Sequence, residues 1–163
     1  MRTQGIYALL YGAGDAKIGS IIGKGSSAGR KIKQRYFKNL PKLEKLMKQV
    51  DIAVQRGYLI GLDGRKLWIR SEHKGLNTLI QGAGALIMKT SMIFLDLTHK
   101  HYQYDGHKVL DMHDEAQWEV APNDVELHSY LAEQSIIQAG NFYNLRCPMA
   151  ADVKVGDNWS ETH

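Results

Sequence analysis

The sequence predicts an α+β protein, in which helices and strands occupy separate stretches of the chain. The first third shows helical spacing interrupted by glycines, the middle carries one long apolar helix, and two pairs of short strand-like runs flank turn signals. With 163 residues, 44% of them hydrophobic and 23% charged, the chain is long enough for one sizeable core or for two lobes of a larger fold.

Composition also indicates the compartment. The single cysteine, Cys147, excludes an internal disulfide and suits a reducing environment. The N-terminal apolar run is too short for a signal peptide. The most apolar stretch, residues 76–97, is interrupted by Gln81, Lys89 and Asp96, so we expect no membrane span and no membrane partner. These features predict a cytoplasmic protein.

The first third of the chain is predicted to be helical. Residues 2–11 form the first helix, in which Tyr7 and Tyr11 share one face because they are four positions apart. Gly12 and Gly14 are expected to end this helix, and Asp15 to cap the next, residues 16–22. Further helices are predicted over residues 27–37 and, from Pro41, over residues 41–54.

This helical region is strongly basic. Positions 24–48 contain nine cationic residues and a single acid, Glu44. This excess of positive charge is larger than a solvated helix face requires. The segment therefore predicts contact with the phosphate backbone of nucleic acid. Its cations are Lys24, Arg30, Lys31, Lys33, Arg35, Lys38, Lys42, Lys45 and Lys48.

A hairpin and a long helix are predicted next. Residues 58–62 and 66–70 are strand-like and flank Asp63-Gly64, a dipeptide typical of a tight turn. A helix over residues 74–101 is apolar on nearly every side between positions 79 and 97, which predicts burial inside something larger. His73, Asn77 and Gln81 form a polar line on it, and they are either satisfied core groups or a stripe that faces a ligand.

The chain then reaches two short apolar runs between Val109 and Val120, joined by His113-Asp114-Glu115. A hairpin would present Asp114 and Glu115 at its tip, where a hard divalent cation could reach both carboxylates. On spacing alone, solvated turn residues are the commoner explanation of such a pattern. A helix over residues 123–139 and an edge strand over residues 151–155 complete the prediction.

Four of these segments together resemble the C-terminal portion of family A (polymerase I-like) DNA polymerases, in particular the replicative branch of short-tailed phages. The matching segments are Tyr-Ala-Leu-Leu-Tyr-Gly-Ala-Gly-Asp-Ala-Lys-Ile-Gly at residues 7–19, Gly-Leu-Asp-Gly-Arg-Lys at 61–66, Leu-Asn-Thr-Leu-Ile-Gln-Gly-Ala-Gly-Ala-Leu at 76–86, and His-Asp-Glu at 113–115. The resemblance covers essentially the whole chain in the expected order.

The resemblance implies a partial right-hand polymerase fold. Residues 1–57 would be a fragment of the fingers, and residues 58–163 a fragment of the palm that contains the long helix and the antiparallel hairpin. It implies template-directed nucleotidyl transfer with two Mg²⁺ ions as cofactor. Primer-template DNA and deoxynucleoside triphosphates would be the partners.

The resemblance also implies individual roles. Tyr7 matches the position near the incoming sugar and Tyr11 the aromatic that stacks over the template base, with Gly12 beside it. His113 matches a residue next to the primer terminus, and Asp114 the metal-binding aspartate of motif C, with Glu115 as its companion. The candidate DNA-binding residues are Arg65, Asn77 and Gln81 near the primer end, together with Arg70, Lys24, Arg30 and Lys31.

The sequence departs from the family pattern where the triphosphate is gripped and where a second aspartate is needed. Thr3 stands where the family has a cation, and the motif A aspartate would lie upstream of Met1. Strand alternation points Asp111 away from Asp114, so Asp111 is not expected to replace it. We therefore expect a polymerase fragment that is inactive alone and forms a homo-oligomer or requires a partner chain carrying the N-terminal half. The alternative is a non-catalytic DNA-binding or interaction module derived from a phage.

Overall fold

Four helices follow one another at the start of the chain in the computed structural model, which describes residues 2–71 and 74–162. They are α1 (Arg2–Leu10), α2 (Asp15–Ile21), α3 (Ser26–Asn39) and α4 (Pro41–Val54). All four helices were predicted, and Pro41 occupies the first turn of α4 as expected. They belong to the first of two compact units, residues 1–82 and 83–163.

Glycine ends helix α1 as predicted. Gly12 adopts a left-handed φ of 74°, its N–H donates to the Leu9 carbonyl at 3.3 Å, and the Ala13 N–H donates to the Ala8 carbonyl at 2.9 Å. This pair of bonds is the Schellman arrangement that satisfies the last carbonyls of a helix. The prediction that Asp15 caps α2 was wrong. The N-cap residue is Gly14, which has no side chain, and Asp15 lies one position later, inside the first turn.

Helices α2 and α3 pack backbone to backbone. A Cβ atom on Gly29 would lie 2.0 Å from the Asp15 carbonyl oxygen and 2.6 Å from the Gly19 nitrogen, and one on Gly19 would lie 2.4 Å from the Gly25 oxygen. No side chain larger than hydrogen fits at either position without moving the backbone.

A short hairpin follows α4. Strand β1 (Tyr58–Ile60) pairs antiparallel with β2 (Lys66–Trp68), and each strand is two residues shorter than predicted. The predicted hairpin with a tight turn at Asp63-Gly64 is confirmed: the Gly64 N–H donates to the Gly61 carbonyl at 3.0 Å and the Gly61 N–H to the Arg65 carbonyl at 2.8 Å, between the paired residues Ile60 and Lys66. Gly64 supplies the left-handed conformation at φ 82°. One core cluster of this unit consists of Val50, Val54, Leu59 and Leu76, and Leu9 and Ile18 are also buried.

Helix α5 runs from Gly75 to Tyr102 and continues from the first unit into the second. By length and composition alone it could cross a bilayer, with a mean hydropathy of 1.4 over its most apolar 18-residue window, a test that core helices of soluble proteins also pass. Only 17% of that window is buried within the described structure. The burial that the sequence predicts for this helix is thus only partly found in the described structure, where Leu76, Ile87 and Leu95 are buried and Ile93 and Leu97 are exposed.

After α5, the described part of the second unit contains a hairpin and two further α-helices. Strand β3 (Gly106–Met112) pairs antiparallel with β4 (Glu115–Val120), with a register shift between Lys108 and Leu110 that leaves Val109 as a bulge. A 3₁₀ turn at Pro122–Asp124 leads into α6 (Val125–Phe142), and α7 (Trp159–Thr162) closes the chain. One core cluster consists of Leu95, Tyr104 and Leu131, and Ile87, Ile136 and Ala139 are also buried.

The edge strand predicted over residues 151–155 was wrong. These residues are exposed and form neither helix nor strand. Alternating apolar residues such as Val153 and Val155 form a strand only when a neighbouring strand supplies the ladder of hydrogen bonds, and no described segment pairs with them. The division into fingers at 1–57 and palm at 58–163 stays a prediction, since the compact units 1–82 and 83–163 are defined by contacts and not by a role in catalysis.

Candidate active site and nucleic-acid surface

Three candidate residues of the first unit are brought together. Tyr7 and Tyr11 lie one turn apart at the end of α1, with ring centroids 5.9 Å apart and planes inclined by 30°. Gln81 of α5 donates from Nε2 to the Tyr11 hydroxyl oxygen at 3.2 Å. Both tyrosines remain accessible, with 53% and 42% of their surface exposed. The pair thus offers aromatic surface to a ligand, and Gly12 ends the helix directly behind it.

Asn77 lies one turn before Gln81 on the same helix. Its Oδ1 atom is buried and has no hydrogen-bond partner within the described part of the chain. An unpaired buried acceptor costs roughly 1–3 kcal/mol, so a donor from a ligand or from water is expected there. His73, which the sequence places on the same line, lies outside the described residues. Within the described residues, the polar line on α5 therefore consists of Asn77 and Gln81.

The two arginines near the first hairpin differ in their contacts. Arg65 is tied to Asp63: its backbone N–H donates to Asp63 Oδ1 at 3.2 Å, and its Nε forms an ion pair with Oδ2. Its side chain is nevertheless 69% exposed, so the rest of the guanidinium is accessible. Arg70 lies beyond the end of β2 and is exposed. Both residues can contact phosphate without rearrangement of a core.

The candidate cations of the basic segment lie on the surface. Lys24 is in the connection between α2 and α3, and Arg30 and Lys31 are in the first half of α3, all of them exposed. Of these three, only Arg30 lines a groove of about 450 Å³ between α2, α3 and α4. The other residues lining the groove are Asp15, Lys33, Gln34, Phe37, Lys38 and Glu44.

Sequence reasoning named Lys33 and Lys38 only as members of the basic segment, and it did not name Phe37. The signal was present, because positions 30, 33, 34, 37 and 38 follow the three- and four-residue spacing that puts side chains on one face of a helix. It was missed because the cations were counted along the segment and were not assigned to faces. The structure shows which of them share a groove.

The second unit carries the three residues of the predicted metal site. His113 and Asp114 form a two-residue turn between Met112 and Glu115, which are paired at the end of the hairpin. His113 has a φ of 55°, the left-handed conformation that the favoured two-residue hairpin turns require at this position. All three side chains are exposed at this tip, as the hairpin prediction required.

Hydrogen bonds and ion pairs near the hairpin tip limit which other side chains could bind a metal ion together with Asp114 and Glu115. Glu115 Oε1 accepts a hydrogen bond from Gln117 Nε2 at 2.8 Å, which orients the carboxylate along β4. The carboxylate of Asp111 forms an ion pair with Lys108 on its own strand. Asp111 is therefore already partnered by a cation.

The donor set is of the kind that Mg²⁺ prefers, but it is limited to one pair of carboxylates. Mg²⁺ prefers oxygen ligands and is commonly held by one or two carboxylates, with water and substrate phosphates completing the shell. Asp114 and Glu115 provide two adjacent carboxylates of this type. Over residues 2–71 and 74–162 no group of three or more His, Cys, Asp and Glu side chains is placed to hold a metal ion.

An aromatic cluster supports the base of this hairpin. Tyr104 and His128 are buried, and the Tyr104 hydroxyl and His128 Nδ1 share a hydrogen bond of 2.9 Å. His99 packs edge-on against the Tyr104 ring at 4.5 Å, with its Nε2 2.9 Å from the Tyr104 carbonyl oxygen. Trp118 of β4 packs 4.9 Å from the His128 ring. The cluster thereby holds strand β4 against α5 and α6.

Burial controls the ionisation of this cluster. It lowers the pKa of His128, with a smaller effect from the nearby His99. It also raises the pKa of Tyr104 to about 12, assisted by the negative charge of Asp124. The hydrogen-bonded pair is therefore neutral at neutral pH. No sequence signal identifies this cluster, because its members are separated by stretches of unrelated pattern.

The sequence of this chain is similar to those of known DNA polymerases. The sequence profile described as DNA polymerase family A matches residues 3–161. A DNA-directed DNA polymerase of Escherichia phage Phieco32 is 42% identical over 165 residues, which cover 97% of this chain and 27% of that protein. That of Escherichia phage T7 is 32% identical over 180 residues, covering 97% and 26%. The chain thus spans about a quarter of the length of these relatives.

A solved structure shows the same fold. The structure titled POL domain of Pol1 from M. smegmatis, in complex with DNA primer-template and dNTP, superposes with a TM-score of 0.78. The match covers 84% of this chain and 26% of that one, at 22% identity. The expected α+β fold, a part of the right-hand polymerase architecture, is thereby confirmed.

Proposed function

This chain belongs to DNA polymerase family A, and on that basis we propose that it forms part of a DNA-directed DNA polymerase. Its contribution to template-directed nucleotidyl transfer would be motif C and residues that bind DNA. The observation that carries the proposal is the exposed His113-Asp114-Glu115 tip of a hairpin, within a family match that extends over residues 3–161. The finer roles below rest on that match together with the contacts of each residue.

Asp114 and Glu115 are proposed to supply carboxylate oxygens to Mg²⁺. When bound, a pair of such ions would stabilise both the attacking 3′ oxygen and the leaving pyrophosphate. The residues of this chain orient the donors: the two-residue turn projects Asp114, and Gln117 holds the Glu115 carboxylate through its 2.8 Å hydrogen bond. The left-handed turn at His113 would direct its imidazole to the primer terminus.

The first unit is proposed to bind primer-template DNA and the nucleotide. Tyr7 and Tyr11 present stacked rings suited to a sugar and a base. Asn77 and Gln81 carry amides, which can both donate to and accept from base edges in the minor groove. The exposed cations Arg65, Arg70, Lys24, Arg30 and Lys31 are suited to phosphate contacts, which fix register without reading sequence.

The chain is proposed to be incomplete as a catalyst. The described residues offer one carboxylate pair and no third metal ligand, and Thr3 occupies a family position for a cation that grips the triphosphate. We propose that polypeptide beyond these 163 residues supplies the second aspartate, either as another chain or as more of the same protein. We also propose that the apolar surface of α5 causes self-association when such a partner is absent.

Primer extension tests this proposal. The chain is assayed with Mg²⁺ and four deoxynucleotides, alone and mixed with the part of the Phieco32 phage polymerase that it does not match. We expect no extension alone and extension in the mixture. The product should be lost in Asp114→Asn and retained in Asp152→Asn, an isosteric change at an exposed aspartate far from the hairpin in sequence. Extension by the chain alone would show that it supplies a complete metal site.

A non-catalytic DNA-binding module is the second candidate function. It is favoured by the nine cations between positions 24 and 48, combined with the absence of a third metal ligand among the described residues. DNA affinity that falls steeply with salt, is unaffected by Mg²⁺ and is unchanged in Asp114→Asn would support it. A Mg²⁺-dependent gain in affinity that disappears in Asp114→Asn would support the polymerase role instead.

A further inference from the structure

The loop between β1 and β2 holds one of its own cations in place. The Asp63 carboxylate accepts a hydrogen bond from the Arg65 backbone N–H at 3.2 Å through Oδ1, and it forms an ion pair with the Arg65 Nε through Oδ2. One carboxylate thus engages both the backbone and the side chain of the same arginine. A long side chain that is free in water adopts many rotamers, and this double contact restricts them.

The ion pair leaves the end of the Arg65 side chain available. Arginine carries five N–H donors, and the contact with Asp63 uses the one on Nε. The Arg65 side chain is 69% exposed, so the two terminal nitrogens remain accessible as a planar fork. Such a fork matches two oxygens of one phosphate group.

The loop also has a fixed base on helix α5. A Cβ atom on Gly82 would lie 3.2 Å from Leu67 Cδ1, and one on Gly61 would lie 3.4 Å from the same atom. Leu67 therefore packs against both the loop and the helix, at the position that follows Gln81. This packing fixes the loop relative to the stretch of α5 that carries Asn77 and Gln81.

The acid at position 63 is unexpected on charge alone. A carboxylate near a surface that binds phosphate repels DNA, so its removal would be expected to strengthen binding. The Asp63 side chain is only 22% exposed, however, and both of its oxygens contact Arg65. Its charge acts mainly on the guanidinium, and its repulsion of a phosphate further away is weakened by solvent and salt. The ordering of Arg65 should therefore exceed this repulsion.

We propose that Asp63 is a positioning residue, which holds the Arg65 guanidinium in the orientation that receives a phosphate of primer-template DNA. Asp63 acts through Arg65, so this role rests on the proposed binding of DNA by Arg65. Ordering a rotamer-rich side chain before the ligand arrives removes an entropic cost from binding. Without Asp63, the arginine would still carry its charge but would have to be ordered by the DNA.

Fluorescence anisotropy with a labelled primer-template duplex tests the role of Asp63. Asp63→Asn keeps the shape of the side chain and an oxygen for the Arg65 N–H, and it removes the charge. We expect DNA binding to weaken roughly 2- to 10-fold, the usual effect of ordering one long side chain. Asp51→Asn removes the same charge from an exposed position of α4 and should leave binding unchanged or slightly stronger. Unchanged or stronger binding by Asp63→Asn would overturn the proposal.

Two further readouts separate positioning from a general loss of loop structure. In the Arg65→Gln background, Asp63→Asn should no longer weaken binding, because the side chain that it orients is gone. The slope of log affinity against log salt should become shallower by about 0.9 in Arg65→Gln and stay unchanged in Asp63→Asn, since only the first variant lacks a phosphate contact. Equal weakening in both backgrounds, or an equal change of slope in both variants, would contradict positioning.

Asp63→Ser covers the case in which Asp63→Asn does not fold. A serine hydroxyl can accept the same backbone N–H bond and offers no charge to Nε, so this variant should weaken binding to a similar extent. If Arg65→Gln itself leaves DNA affinity unchanged, the proposed binding of DNA by Arg65 fails, and the role of Asp63 fails with it. If Arg65→Gln weakens binding and the Asp63 variants do not, only the role of Asp63 fails.

Discussion

Gln81 donates a hydrogen bond to the Tyr11 hydroxyl oxygen at 3.2 Å and so joins helix α5 to the end of α1 across 70 positions of sequence. The two side chains come from separate motifs of the sequence. Because Tyr11 also stacks with Tyr7, we expect a change at Gln81 to affect the aromatic pair that is proposed to contact a sugar and a base.

The Tyr11–Gln81 contact should be measurable as a coupling. We expect Tyr11→Phe and Gln81→Ala each to change the free energy of unfolding modestly, with a coupling of about 0.5 kcal/mol in the double variant, since both groups are exposed and water competes. In anisotropy with primer-template DNA, Gln81→Ala should weaken binding, whereas Tyr11→Phe, which keeps the ring, should not. Strictly additive unfolding energies would show that the bond does not persist in solution.

Gly29 should be intolerant of a methyl group. Its Cβ would lie 2.0 Å from the Asp15 carbonyl oxygen, which belongs to backbone and cannot rotate away. We expect Gly29→Ala to destabilise the protein by about 1–3 kcal/mol, the usual cost of overpacking. Gly84→Ala is the matched control, also inside a helix but with nothing within 4 Å of its Cβ, and should stabilise by up to about 1 kcal/mol. The free energies of unfolding of both variants are measured by urea denaturation. Equal effects of the two substitutions would contradict the close packing of α2 against α3.

The buried His128–Tyr104 pair predicts how stability depends on pH. Burial holds the pKa of His128 below its unfolded value of about 6.5, so the unfolded chain binds the proton more readily than the folded one. Stability should therefore be complete above about pH 6.5 and fall as the pH drops towards the folded pKa. Because the pKa of Tyr104 is raised to about 12, stability should also fall as the pH rises from about 10.

Urea unfolding at a series of pH values checks this dependence. His128→Phe removes the titrating group and keeps a ring, so it should flatten the acid side of the profile. His107→Gln changes a histidine whose side chain is 79% exposed and should leave the acid side unchanged. An acid profile of the same slope in His128→Phe and in the unsubstituted protein would place the titrating group elsewhere.

The exposed apolar face of α5 predicts self-association. Ile93 and Leu97 are one turn apart and 59% and 56% exposed. We expect the chain alone to form oligomers in size-exclusion chromatography with light scattering, and Ile93→Gln with Leu97→Gln to shift it towards the monomer, because apolar contact area is lost. Ile52→Gln, at another residue that is 72% exposed, is the control and should leave the oligomer intact. A monomer at all concentrations would contradict the prediction.

The sequence alone determined the elements whose signals are local. Glycine and proline at the ends of α1 and α4, together with three- and four-residue spacing, placed all four N-terminal helices, because these residues act on the few dihedral angles beside them. The same holds for the candidate metal site: His113, Asp114 and Glu115 are adjacent in the chain, and only the turn between two apolar runs was needed to place them at a hairpin tip.

Only the tertiary structure decided what depends on partners distant in the chain. Residues 151–155 have a strand pattern, but no strand among the described residues lies beside them, and so they remain irregular. The Tyr11–Gln81 bond, the Gly29 contact with Asp15 and the groove around Phe37 arise where separate helices meet, and the His128–Tyr104 bond forms beneath a hairpin. Such contacts form only after the chain has closed the intervening loops, and the residues between them carry no record of which partners will meet.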